Sequence, residues 1–200
     1  MIQLRYRSTS LFHFKRIDAT NKGALTLPMP TPYAVRSALL AVSDDPEAVF
    51  DNVKSKTIIV KPPAEIVHNP CWVKILDLKR SEFRAQWDKP EATAEYQSTM
   101  SLREYAYIPA DGSSDLMIYI DSLEGIEDLP ARINYFGKRG SFVQFIGKED
   151  NVDPYIPLEG MECILQDFSK KATWENVNVY TSKKSVRERY SQVIEPSLVV

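Results

Sequence analysis

The stretch Leu129–Gly147, LPARINYFGKRGSFVQFIG, constrains the chain more than any other. Two apolar, β-prone runs flank the tight centre Gly137-Lys138-Arg139-Gly140. Gly137 and Gly140 have no Cβ, so the backbone between them is free to take positive φ and to approach another chain closely. Lys138 and Arg139 are lifted at the tip, where they keep their hydration. Exposed amides and two cations suit a phosphate or sugar backbone. The same four residues are also ordinary turn chemistry, a solvated hairpin turn.

Two hundred residues allow one large domain or two small ones, and 44% hydrophobic with 26% charged residues is a globular balance, not a disordered one. The net charge of −2 excludes a uniformly cationic nucleic-acid binder, so any such contact must come from a local patch. No apolar run is long enough to span a bilayer, and no membrane partner is expected. The N-terminus, MIQLRYRSTSLFHFKR, has no continuous apolar core, so no signal peptide is expected there. Cys71 and Cys163 stand far apart, and a cytoplasmic location is expected. Prolines outnumber glycines and mark segment edges.

Along the chain, Ile2, Leu4 and Tyr6 alternate with Gln3, Arg5 and Arg7, the period of a half-buried strand, continued by Leu11, Phe12 and Phe14 after a Ser-Thr-Ser interruption. Asp18–Pro30 reads as a loop. Thr31-Pro32 opens the clearest helix, with Val35, Ala38, Leu39 and Val42 at helical spacing and Arg36 off that stripe. Ser43–Val53 reads as a second helix, capped by Asp45 with Pro46 at its first position. Thr57–Lys61 is a β-branched strand, Glu65–Pro70 a connector, and Trp72–Leu78 a strand. Lys79–Thr99 is charged and irregular. Ser101–Pro109 and Leu116–Asp121 read as strands joined into a hairpin by the Asp-Gly turn in Ala110–Asp115. Leu123–Arg132 reads as a short helix, Met161–Phe168 and Trp174–Tyr180 as the last strands, and Thr181–Val200 as a tail with a basic cluster, Lys183, Lys184, Arg187 and Arg189. One or two patterned helices among many strands, without βαβ repetition, point to α+β.

His13 and His68 are the only histidines, and neither has a ligand at coordination spacing, so no metal and no cofactor is expected. Walker, Rossmann and nucleophile-elbow patterns are absent. Metal-independent RNA cleavage by His13 or His68 with Tyr33 and Lys74 is an alternative that no spacing selects. Gly137–Gly140 fits the G-x-x-G pattern of KH domains, but the order of elements does not. Lys74, Lys79, Arg80 and Arg84 lie with Trp72, Phe83 and Trp87. Cations that meet phosphates beside rings that stack on bases make an RNA-binding set, and a core with a solvated face is the competing reading.

TPYAVRSALLAV after a Pro-containing loop, REYAYIP leading into LMIYID, and then INYFGKRGSF together resemble the Cas-five family of RAMP proteins, which bind the crRNA 5′ handle in CRISPR Cascade complexes. The resemblance covers roughly residues 2–147. It implies a ferredoxin-like (RRM-like) core over residues 1–150, with an inserted β-hairpin thumb around residues 79–99 and β-rich C-terminal strands over 151–200. It implies a non-catalytic subunit of a type I effector that caps the handle and wedges its thumb at the boundary with the spacer. Its partners would be the backbone subunit, the large subunit and target DNA near the PAM. By position, Arg36, Arg103, Tyr105, Lys138 and Arg139 would face the handle; Gly137, Gly140, Lys74, Lys79, Arg80, Arg84 and Trp87, read from the residues themselves, complete the expected RNA-binding set. One branch of the family cuts precursor crRNA; this chain lacks a clear His-Lys constellation and is read as non-cleaving.

Overall fold

Ile2–Ser8 (β1) is the strand its alternation predicts, with Leu4 and Tyr6 buried and Arg5 and Arg7 exposed. The computed structural model describes residues 1–15, 25–76, 98–109, 115–137, 140–155, 163–177 and 193–199. After the short strands Phe14–Lys15 (β2) and Thr26–Leu27 (β3), the helix Pro32–Val42 (α1) begins where the sequence places it. The Thr31 hydroxyl accepts the Ala34 N–H at 3.1 Å, and Pro32 occupies the first helical position, where no N–H is needed. Asp45 does the same for Pro46–Ser55 (α2), accepting from Ala48 at 3.1 Å.

Ile58–Lys61 (β4), Leu116–Ile120 (β7) and Val143–Glu149 (β8) join β1 in a four-stranded sheet of order β4-β7-β1-β8, every neighbour antiparallel. The helix Leu129–Arg132 (α3) lies between β7 and β8 in sequence. Thus α1 connects β1 to β4, two places away, and α3 connects β7 to β8, again across an intervening strand. One sheet face is apolar: Leu4, Tyr6, Ile58, Val60, Leu116, Ile118 and Ile120 pack with Val35, Leu39, Phe50, Val53 and Leu129 into one core. Tyr6 is fully buried, and its hydroxyl donates to the Pro130 carbonyl at 2.9 Å, which fixes α3 on the sheet. Burial pushes the Tyr6 phenol well above its ordinary pKa.

Val67–Leu76 (β5) and Ser98–Tyr107 (β6) pair along their whole length, from Val67 opposite Tyr107 to Leu76 opposite Ser98. This ribbon is tied to the body where Phe12 bridges Ala106 through hydrogen bonds of 2.8 and 2.9 Å. Cys163–Phe168 (β9) and Ile194–Val199 (β10) form a separate antiparallel pair, and β9 packs on α1. The fold is therefore α+β: antiparallel sheets with few helices. Among the described residues, no helix is long and apolar enough to cross a membrane.

Four expectations are corrected. Ser101–Pro109 and Leu116–Asp121 do not form a hairpin: β6 pairs with β5, while β7 pairs with β1 and β4, whose apolar faces share its core. Glu65–Pro70 is not a connector, because Val67–Pro70 already belongs to β5. Pro70 is tolerated there because a two-stranded ribbon leaves one side of each strand without a ladder. Leu123–Arg132 is helical only over Leu129–Arg132, since Gly125 at φ 77° breaks the helix into turns before it. Trp174–Val177 (α4) is a helical turn rather than a strand, with the Asn176 and Val177 N–H groups both donating to Thr173. The basic cluster at 183–189 and nearly all of the expected thumb, residues 79–97, lie outside the described residues.

Candidate nucleic-acid interface

The glycine loop has the conformation its sequence requires. Gly137 sits at φ 65° and Gly140 at φ 104°, both in the left-handed region. A Cβ at either position would meet nothing within 4 Å, so the glycines serve the backbone turn and not a packing need. The base of the loop is rigid. Phe136 is fully buried and meets Tyr6 edge-on, ring centroids 5.1 Å apart, and Tyr135 bridges Phe142. Lys138 and Arg139 at the tip lie outside the described residues.

What holds the loop is the segment after β1. The Ser10 hydroxyl donates to the Gly140 carbonyl at 2.8 Å and accepts the Phe142 N–H at 3.0 Å. The Thr9 N–H donates to Phe142, and the His13 N–H donates to the Ser141 hydroxyl at 3.2 Å. Nothing in the composition of Leu129–Gly147 reveals this; the Ser-Thr-Ser interruption of the first strand was its only trace.

The same segment carries the contact on to β6. Nδ1 of His13 lies 2.7 Å from the Glu104 carbonyl, and its ring is 5.9 Å from that of Tyr105. The Glu104 carboxylate accepts the Thr26 N–H at 2.7 Å and lies 3.2 Å from His68 Nδ1. Two β6 residues expected at the handle, Arg103 and Tyr105, therefore stand next to the scaffold that anchors Gly140. Among the described residues the buried Nε of Arg103 has no hydrogen-bond partner, an unsatisfied donor on a cationic side chain. Further along the ribbon, Trp72 is 66% exposed opposite Leu102 at 42%, an unusual exposure for a tryptophan. Lys74 lies opposite Met100; Lys79, Arg80, Arg84 and Trp87 lie outside the described residues.

Arg36 is placed differently from the expectation that it faces the handle. It is 5% exposed, its Nε and one terminal nitrogen grip the two Asp167 oxygens at 2.6 and 2.9 Å, and its other terminal nitrogen donates to the Val53 carbonyl at 2.5 Å. Its position off the apolar stripe of α1 reflects an ion pair that joins α1 to β9 and the end of α2. Tyr33, a candidate for the cleavage alternative, packs edge-on against Phe168 in that same region.

Acidic groups near the helices are partly matched. Arg132 holds Asp44 through bonds of 2.8 and 3.1 Å, which keeps the Asp44 carboxyl below the usual carboxylate range. Among the described residues, no three His, Cys, Asp or Glu side chains converge on a point that could hold a metal ion.

No protein-family model matches the chain. Over 226 aligned positions it is 26% identical to the CRISPR-associated protein Cas5 of Archaeoglobus fulgidus, an alignment that covers 97% of this chain and 92% of that protein.

Proposed function

From a similarity that runs along nearly the whole chain we propose that it is a Cas5-family protein, a non-catalytic RNA-binding subunit of a type I Cascade effector that caps the crRNA 5′ handle. The observation that carries this reading is the continuity from the glycine loop, through Ser10 and His13, to Arg103 and Tyr105 on β6. A backbone tip with left-handed glycines beside a cation and a ring is a surface matched to a single strand with splayed bases.

In this reading residues 1–150 are a ferredoxin-like domain. The order β4-β7-β1-β8 with crossovers α1 and α3 supports it, since a β-α-β-β-α-β chain pairs its four strands in that way. The ribbon β5–β6 is the stem of the thumb, and Lys74, Lys79, Arg80, Arg84 and Trp87 belong to its RNA-facing part. Arg36 is left out of the handle set because its guanidinium is buried on Asp167. The non-cleaving reading is supported by the placement of both histidines on Glu104: His13 ties the ribbon to the body, and His68 pairs across the two strands of the ribbon. The backbone subunit, the large subunit and DNA near the PAM are the partners this role implies.

The test is binding of a handle-bearing crRNA to the assembled complex across a salt series, with and without Lys138→Ala/Arg139→Ala. Each lost phosphate contact should flatten the log–log salt slope by about 0.7 on a single strand. Unchanged slope and affinity in the double variant would refute the role given to the loop.

A further inference from the structure

The sheet face turned away from the helices carries a second site. Arg5, Met117 and Gly147 are in register with one another across β7, β1 and β8, while their neighbours Leu4 and Tyr6 point into the core. Together with Gln3, Lys148 and Glu149 they line an open cleft of about 460 Å³, within the range of roughly 300–1,000 Å³ common for small-ligand sites. We propose that this cleft binds a nucleotide unit, with its phosphate on Arg5 and its base over Met117 and Gly147.

Three observations lead there. First, Arg5 is available. The Asp115 carboxylate is taken by Arg7, which donates to both its oxygens at 2.9 and 3.1 Å, whereas Arg5 approaches only through Nε at 3.5 Å. Among the described residues the two terminal nitrogens of Arg5 have no partner, and the side chain is 53% exposed. A guanidinium fork with free terminal N–H groups suits a phosphate better than a point charge would.

Second, neither φ nor side-chain packing requires glycine at Gly147. It does not adopt positive φ, and a Cβ there would meet nothing within 4 Å. A glycine inside a strand weakens it and marks a bulge or a place where another group comes close; here the open space over it leaves room for a flat group. The register shift between Arg5 and Tyr6, which leaves Ile146 unpaired, lies directly beside it.

Third, the remaining lining suits a base better than a bare anion. Gln3 and Glu149 are opposite one another in register. The Gln3 amide nitrogen donates to Met117 Sδ at 2.9 Å, which leaves its carbonyl oxygen and the Glu149 carboxylate as acceptors for the exocyclic amine of a base, whereas Glu149 would repel inorganic phosphate. Met117 gives a polarizable surface on which a ring can lie.

The site does not depend on the handle reading. Gly147 lies within β8, four residues past its start at Val143, roughly 13 Å along the strand at about 3.3 Å per residue, whereas Gly140 belongs to the loop before that strand. Its ligand is either a free nucleotide or one residue of a nucleic-acid strand. The test uses the full chain labelled with ¹⁵N, titrated with the four ribonucleoside 5′-monophosphates, a short single-stranded RNA, and inorganic phosphate. Saturable shifts of the Gly147 and Met117 amides are expected. Shifts with monophosphates as well as RNA identify a free nucleotide, and shifts with RNA alone identify a strand. Arg5→Ala should weaken the response about tenfold or more, and Gly147→Leu should abolish it while Gly147→Ala keeps the wild-type melting temperature. Lys138→Ala/Arg139→Ala should leave these shifts intact, so failure of the loop and failure of the cleft are separately visible. No response to any nucleotide or RNA, an equal response to inorganic phosphate, or an undiminished response in Arg5→Ala overturns the proposal.

Discussion

Replacing Arg36 separates a structural arginine from an RNA-contacting one. Its side chain is 6% exposed and that of Asp167 15%, so neither charge is well solvated. Arg36→Met removes two bonds to the carboxylate and one to the Val53 carbonyl, and leaves Asp167 uncompensated. Breaking a buried pair from one side is worth about 3–5 kcal/mol. For a domain of this size that lowers the melting temperature by roughly 6–20 °C. Arg36→Met/Asp167→Leu should recover most of the loss, because an apolar pair of similar volume is often no worse than a buried ion pair. Thermal and urea unfolding measure both variants, and RNA affinity is measured below the transition. A fall in affinity with stability unchanged would refute the reasoning, as would a double variant no better than the single.

Further perturbations test other links. Gly140→Ala forces a Cβ at φ 104° and should cost about 1–3 kcal/mol in unfolding experiments. Ser10→Ala removes the hydroxyl that holds Gly140 and Phe142, and should speed amide hydrogen exchange at Phe142 while exchange in β7 stays unchanged. Tyr6→Phe leaves the Pro130 carbonyl without its buried donor and should destabilise by about 1–3 kcal/mol in urea melts. Asp44 has a depressed folded pKa, so its contribution is present above the ordinary carboxylate pKa and is lost as pH falls through the folded value. The small stability difference between wild type and Asp44→Asn should therefore vanish in acid.

The elements readable in the sequence are those with local causes. Thr31-Pro32 and Asp45-Pro46 announce two helices because a cap and a proline act on the residues beside them. Gly137 and Gly140 are legible for the same reason. Pairings across long sequence separations were not. The partner of Arg36 lies 131 residues away, so an off-stripe arginine looked like a surface cation. The Asp-Gly turn favoured a hairpin between β6 and β7, yet each strand found a better-matched neighbour elsewhere. Pro70 disguised the first half of β5 as a connector, and the link from the loop to β6 depends on Ser10 and His13, which no local pattern singles out.

The most direct measurement of the central claim is to purify the native assembly that contains this chain and sequence the RNA bound to it. Small RNAs that share one 5′ sequence followed by variable spacers are the expected result. An intact assembly free of RNA, or one holding RNAs without a common 5′ end, would contradict a subunit that caps the beginning of a guide.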